Sequence, residues 1–284
     1  MQLDLQYPDE FATVDELFNA EQRGMAAAVR EERRPGLFVF AIHPAHGRAE
    51  VGRCWFAATE TPRSGVVGRH DFVDLPLPLD PALSLRHVLF VVRRHRERVR
   101  FAALDLGTPR GLFSAHLVTV TGAPARLLEF DFAALIQASE FLFVCVPTGE
   151  GVPWDVRGTD PFRSLKLRPP ARVAEATSLA DRSGDRCHLE LRSPLGHSEL
   201  DLTQGQLARG ALIGRYERCE LRLDDPSLSR VHAALLDLDG TPWIFDTGST
   251  NGLALAGEPI RSAPLGLFQR LELSDEISLR VTRL

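Results

Sequence analysis

Between Gly36 and Val146 the apolar residues come in short runs, not in long stripes of helical period. Leu37–Ile42, Val66–Val67, Val88–Val92, Val99–Leu104, Leu117–Thr121 and Phe141–Val146 are apolar or β-branched, with glycine, proline and charge between them. That texture predicts β-strands. Ala133–Ala138 carries Leu135 and Gln137 among alanines and reads instead as one or two helical turns. From Cys187 onward the alternation is cleaner. Leu189/Leu191, Leu200/Leu202, Leu221/Leu223 and Ile277/Leu279/Val281 take every second position, as half-buried strands require. Ala233–Leu238 and Trp243–Asp246 flank Asp239-Gly240, a strong hairpin signal.

One helix precedes the strands. Thr13 and Glu16 have capping-box spacing, and Leu17, Ala20, Gly24, Ala27 and Ala28 are small or apolar at roughly helical intervals. Pro35-Gly36 ends the helix after Arg34. It is expected to dock on the domain that follows. Glycines and prolines from Gly149 to Pro170 loosen the next stretch into an irregular linker. The chain thus divides into a helical segment 1–34, a first β-domain 35–147, a linker 148–186 and a second β-domain 187–284.

The two β-domains share landmarks. Gly68-Arg69, Ser84-Leu85-Arg86-His87 and Asp105-Leu106-Gly107-Thr108-Pro109-Arg110-Gly111 recur as Gly214-Arg215, Ser229-Arg230-Val231-His232 and Asp246-Thr247-Gly248-Ser249-Thr250-Asn251-Gly252. The order is the same and the gaps are similar, with four more residues in the first copy between its histidine and its aspartate. Those residues fit a longer hairpin tip at Arg93–Arg98. Self-similarity of this kind predicts two similar folds in tandem.

The second set, Gly214-Arg215, Ser229-Arg230-Val231-His232 and Thr250-Asn251-Gly252, resembles the forkhead-associated (FHA) family over about Cys187–Leu284. The resemblance implies an eleven-stranded β-sandwich whose loops bind phosphothreonine peptides. The fold class expected is therefore mainly β: two tandem FHA-like β-sandwiches with an N-terminal helix and a Pro/Gly-rich linker.

Elementary chemistry agrees. A phosphothreonine carries about −1.5 to −2 charge and three acceptor oxygens. Arg215 offers a planar fork of donors, Ser229 a compact hydroxyl, Thr250 a hydroxyl or backbone N–H, and Arg230 further positive charge. The resemblance gives Asn251 the task of clamping the peptide main chain, since an amide both donates and accepts. It leaves Gly214, Gly252 and His232 as structural residues, with His232 bracing the loops. Residues before Ser229 and near Gly248 are expected to set preference a few positions beyond the phosphothreonine. In the first copy Gly68, Arg69, Ser84 and His87 persist, but Pro109-Arg110 replaces the Thr-Asn pair. Proline has no N–H, and arginine cannot accept. That copy reads as degenerate, a scaffold or dimerisation element, or else a site at Arg69, Ser84 and Arg110 for an anion held in another way.

Composition narrows the rest. The net charge is −5, so nonspecific nucleic-acid binding is not expected. Arg93–Arg100 is the densest basic stretch and reads as a solvated hairpin tip. Lys166 is the one lysine among 33 basic residues, an arginine-rich usage that fits a bacterial coding sequence. Four scattered cysteines without a Cys-x-x-Cys pair predict reduced thiols, no metal and no cofactor. No apolar run reaches the ~18 residues of a membrane helix, and Met1–Glu10 has no secretory pattern. A cytoplasmic protein is expected. No nucleotide-binding, hydrolase or zinc-protease motif occurs, and His43-Pro-Ala-His46 reads as a loop. The function expected is a non-enzymatic adaptor that binds a phosphothreonine-containing protein, a Ser/Thr kinase or its substrate. The alternative is a phosphate-independent scaffold with a vestigial site.

Overall fold

Met25 and Val29, one helical turn apart, are buried together with Ala26, and this short stripe seats the N-terminal helix. The computed structural model describes residues 14–43, 50–78, 81–95, 98–114, 124–149, 172–175 and 185–283. Helix α1 spans Val14–Glu31. Its three buried side chains meet Phe40, Ile42, Ala133, Leu135, Leu142, Val144 and Val146. The docking expected for the helix is observed, but its contact stripe is not the small-residue one, since Gly24 and Ala27 face solvent. The larger Met25 and Val29 bury more area and win. The expected cap at Thr13 lies outside the described residues.

The chain divides into two compact units, Met1–Asp105 with Arg110–Val173, and Leu106–Pro109 with Ala174–Leu284. In the first, the strands are β1 (Gly36–Ile42), β2 (Glu50–Ala57), β3 (Arg63–Gly68), β4 (Leu75–Pro76), β5 (Val88–His95), β6 (Arg98–Asp105), β7 (Leu112–Ser114), β8 (Ala125–Phe130), β9 (Ala134–Ala138) and β10 (Phe141–Thr148). They follow one another in the order β2-β1-β10-β9-β7-β8-β6-β5-β3-β4, with β11 (Arg172–Glu175) beside β8. Strand β8 pairs with β7 at Ala125 and with β6 along Leu127–Phe130, so it belongs to both halves of the fold. The halves close over a core in which Phe90 of β5 meets Phe143 of β10 edge-on, with centroids 6.1 Å apart.

Ala133–Ala138 is not helical. It forms β9, hydrogen-bonded to both β10 and β7. Ala134, Ile136 and Ala138 enter the main core, while Leu135 faces α1. With both faces buried, the polar alternation that marks a strand is missing, and local helix propensity yields to tertiary pairing. Ser139, at φ 54, makes the tight turn into β10. The expected strand Leu117–Thr121 and residues 44–46 of the His43–His46 motif lie outside the described residues. His43 itself is buried edge-on against Phe141, at 4.6 Å. Within the expected linker 148–186 lie the end of β10, strand β11 and the start of the next strand at Asp185. Nor is Arg93–Arg100 wholly solvated, because Arg93 is buried and paired with Glu129 at 3.2 Å. Residues 96 and 97, at the tip of that hairpin, lie outside the described residues.

The second unit contains β12 (Asp185–Ser193), β13 (Gly196–Thr203), α2 (Gln204–Arg209), β14 (Ala211–Gly214), β15 (Leu221–Arg222), β16 (Ala233–Leu238), β17 (Thr241–Asp246), β18 (Leu253–Leu255), β19 (Glu258–Ile260), β20 (Ser262–Pro264), β21 (Arg270–Glu272) and β22 (Ser278–Arg283). A six-stranded sheet, β13-β12-β22-β21-β18-β19, faces a five-stranded one, β15-β14-β16-β17-β20. The alternating leucines fill the space between them, Leu189 and Leu191 from one side, Ile213 and Leu235 from the other. Asp239 and Gly240 both take positive φ in the β16–β17 turn, the conformation that suits a tight two-residue hairpin. Helix α2 is a feature the hydrophobic pattern does not announce. A reciprocal capping box between Thr203 and Gln206 starts it.

The two units share one strand order, with β8 standing where the second unit has both β19 and β20. The bonds around the shared motifs also match. His87 N–H donates to Val67 O as His232 N–H does to Ile213 O, and Leu77 N–H donates to Gly68 O as Leu223 N–H does to Gly214 O. Even the carboxylates that hold the strand before the motif correspond, Asp74 to Val66 N–H and Glu220 to Leu212 N–H.

Met25→Ala removes a fully buried side chain from the helix–sheet contact. The expected loss is about 2–4 kcal/mol, read as a lowered unfolding midpoint in urea. A midpoint unchanged from wild type would show that α1 contributes nothing to stability.

Candidate functional site

Three loops of the second unit leave the same end of one sheet. Ile213 pairs with Ala233, and Ala233 with Asp246, so the loops after β14, before β16 and after β17 start side by side. Gly214 makes the first approach close. A Cβ there would stand 2.3 Å from Arg230 O, a distance no side chain tolerates, so the motif needs glycine for contact, not for an unusual φ. Arg215 N–H then donates to Ser229 O and Tyr216 N–H to Arg230 O. This brings the Arg215 and Ser229 segments together.

His232 joins the second loop to the third. It is fully buried. Its Nδ1 accepts the Ser229 N–H at 3.3 Å, and its Nε2 lies 2.9 Å from Gly252 O. Since Nδ1 accepts, the ring proton sits on Nε2 and donates to that carbonyl. His232 thus bonds to the backbone of both the second and the third loop. Ser229 Oγ accepts the Thr250 N–H at 3.0 Å and lies 3.4 Å from Thr250 Oγ1. Asn251 Nδ2 donates to Ser227 O at 2.9 Å. Gly252 has φ 73, the left-handed conformation that glycine adopts at little cost.

Most of the polar side chains of the cluster face outward. Arg215, Arg230, Thr250 and Asn251 are exposed, and Ser229 is 8% exposed. Neither Arg215 nor Arg230 carries an ion pair among the described residues. The cluster thus presents two guanidinium groups, a serine hydroxyl and a threonine hydroxyl with no paired carboxylate among them.

Several supporting bonds escape the sequence reading. Asp246 accepts from Gly248 N–H, Ser249 N–H and Ser249 Oγ, and Ser249 Oγ in turn accepts the Gly252 N–H. Thr247 Oγ1 donates to the Val231 and His232 carbonyls. Asp225 accepts the Ser227 N–H at 2.9 Å and fixes the turn that aims Ser227 O at Asn251. The Ser227 N–H, with hydroxyls of Ser193 and Ser227, holds the Asp225 carboxyl below its ordinary range, against burial that pushes it up. Asp two or three residues before Ser is the signal that marks such turns, and both Asp225-Pro-Ser227 and Asp246-Thr-Gly-Ser249 carry it.

The first unit keeps the scaffold and changes the outward groups. Arg69 N–H donates to Ser84 O, Ser84 N–H to His87 Nδ1, and Gly111 has φ 67. Yet the Arg69 guanidinium turns back, its Nε donating to Leu83 O at 3.2 Å. Arg110 pairs with Glu140 at 3.1 Å. Pro109 stands where Thr250 does and offers no N–H to Ser84.

Elsewhere, all four cysteines are free, and burial pushes the Cys54 and Cys145 thiols up. Among the described residues no group of three metal-ligating side chains assembles, and no helix is long and apolar enough to cross a membrane.

Comparison with known proteins matches residues 211–279 to the FHA domain model. No curated protein matches the chain closely enough to be counted a relative. Solved structures match about a third of it. Mycobacterium tuberculosis Rv1747 FHA-1 is 24% identical over 34% of this chain and 99% of its own, with a TM-score of 0.28. The FHA domain of Chlamydia trachomatis CT664 is 23% identical over 35% of this chain and 98% of its own, with a TM-score of 0.30. Mycobacterium tuberculosis EmbR, solved with a low-affinity phosphopeptide, is 23% identical over 36% of this chain and 27% of its own, with a TM-score of 0.29.

His232→Ala strips two backbone groups, one buried and one half-buried, of their partner. The expected cost is about 1–3 kcal/mol for each group left unpaired, measured by thermal denaturation, and an unchanged melting temperature would rule out the bracing role. Asp225 gives a pH signature. Its folded pKa is depressed, so its contribution is present above the unfolded value, 3.8, and is lost as pH falls through the folded value. The stability gap between wild type and Asp225→Asn is therefore expected to close on acidification below 3.8. A gap that stays constant would refute this. The match to the FHA domain model thus falls on residues 211–279, the part of the second unit that carries the loop cluster.

Proposed function

We propose that the chain is a phosphothreonine-binding adaptor whose FHA domain docks on a protein marked by a Ser/Thr kinase. The observation that carries the reading is the exposed convergence of Arg215, Ser229, Thr250 and Asn251 on loops locked by His232. Arg215 and Arg230 neutralise the phosphate, and Ser229 and Thr250 donate hydroxyls to it. Asn251 exchanges its bond to Ser227 O for the peptide main chain. Each charge-assisted hydrogen bond contributes about 1.5–3 kcal/mol, so two or three can decide whether a peptide binds.

The recognition module is 187–284 and the degenerate copy 35–147, joined by 148–186. The first copy acts as a scaffold in this reading, because Arg69 and Arg110 are engaged within the protein and are not offered to an anion. An adaptor needs no catalytic residues, cofactor or metal. The free thiols suit a cytoplasmic setting.

Titration of phosphothreonine peptides by calorimetry tests the proposal. Selected peptides are expected to bind in the micromolar range and their unphosphorylated forms not at all. Arg215→Ala and Asn251→Ala should each weaken binding at least tenfold without moving the melting temperature by more than a few degrees. Equal affinity for phosphorylated and unphosphorylated partners, unaffected by both substitutions, would favour the phosphate-independent scaffold instead.

A further inference from the structure

Asn251 belongs to two features at once. On one side it closes the loop cluster around Ser229. On the other it lines a groove of about 660 Å³, together with Ser227, Ala254, Gly257, Glu272, Ser274, Asp275 and Glu276. The groove is thus continuous with the proposed phosphopeptide site, and Ser227 O and the Asn251 amide form their common edge. Its far wall is the β21–β22 turn, held by Ser274 Oγ, which accepts N–H bonds from Glu276 and Ile277. Asp275 and Glu276 are exposed on that turn, and Glu272 is half-buried at the end of β21. No basic side chain lines the groove. None of the three carboxylates carries an ion pair among the described residues.

Charge divides sharply across Asn251. On the Ser229 side stand Arg215 and Arg230, and on the groove side stand three carboxylates. A peptide that lays its phosphothreonine on the first and its neighbouring residues along the second meets opposite fields a few residues apart. The volume is large enough for a long extended side chain, and the site is open enough to admit one.

We propose that this groove selects phosphothreonine peptides with an arginine or lysine a few residues from the phosphothreonine, on the side that runs past Asn251. The inference rests on the reading of Arg215, Ser229 and Asn251 as the phosphate and main-chain contacts. It assigns the sequence preference to the β21–β22 turn, not to the loop before Ser229 or to Gly248. It also adds exclusion. A peptide carrying glutamate at the same position places a fourth carboxylate among three and is repelled. Solvent-exposed ion pairs are individually weak, but two or three carboxylates around one guanidinium in a partly enclosed groove sum to about a tenfold preference.

The test uses the full chain and fluorescein-labelled phosphothreonine peptides read by anisotropy. Arginine, alanine and glutamate are scanned through the four positions on each side of the phosphothreonine. One position is expected to favour arginine over glutamate by tenfold or more, with the ratio falling as salt is raised. In the variant Glu272→Gln/Asp275→Asn/Glu276→Gln the arginine-to-glutamate ratio should fall to near 1. In Asp275→Arg/Glu276→Arg it should invert, a gain that misfolding cannot produce. Phosphate-dependent binding with no arginine preference, or a preference that survives both variants, overturns the groove assignment and leaves the phosphate site standing. Arginine peptides that bind equally without phosphate overturn it too, since the groove would then act alone. If no phosphothreonine peptide of any sequence binds, the reading of the phosphate site falls, and the groove proposal with it.

Discussion

A single imidazole holds the loop cluster of the second unit in shape. His232 takes the Ser229 N–H on one nitrogen and gives its proton to Gly252 O with the other. Those two backbone groups belong to different loops, one at buried Ser229 and one at half-buried Gly252. Everything outward depends on that link. Ser229 Oγ is placed to receive the Thr250 N–H only because both loops are pinned, and Asn251 reaches Ser227 O from the residue just before the pinned glycine. A buried polar bridge of this kind is costly to break. It therefore fixes geometry more firmly than the exposed side chains it serves.

The first unit repeats the scaffold with different groups at the loop tips. It repeats the strand order, the Ser-to-His bond and the positive φ at Gly111. What differs is at the tips of the loops. A proline removes the N–H that would meet Ser84, and a leucine carbonyl and Glu140 take up the two guanidinium groups. Backbone architecture and outward chemistry are separable here. The Ser-to-His bond and the close-approach glycine recur in both units, whereas Thr250 and Asn251 have no counterpart in the first.

How much of this is legible in sequence follows from where each constraint lives. Strands with one wet face, such as β12 and β22, show their alternation directly. The turn at Asp239-Gly240 announces itself because few residue pairs accept its backbone angles. Strand β9 is hidden, because α1 covers one of its faces and the core the other, which erases the polar half of the pattern. The motif residues are legible because three separated groups must fall in register. Their supports are less so, since Asp225, Asp246 and Ser249 bond to nearby backbone and carry no long-range signature. The groove wall is hidden altogether. Glu272, Asp275 and Glu276 meet Asn251 only through folding, and no spacing along the chain foretells it.

The charge arrangement bears on how such a module discriminates. A phosphate site built from arginine and hydroxyls attracts any sufficiently acidic peptide, because Coulomb attraction carries little sequence information. Discrimination then has to come from a second field of opposite sign within reach of the same ligand. Set beside Asn251, the carboxylates of Glu272, Asp275 and Glu276 supply such a field. In the proposed mode of binding they repel the generic polyanion that Arg215 and Arg230 would otherwise draw in, and they reward a ligand that changes sign along its length. The acidic wall would then make the basic pair selective for one phosphate in a basic context, which neither half achieves alone.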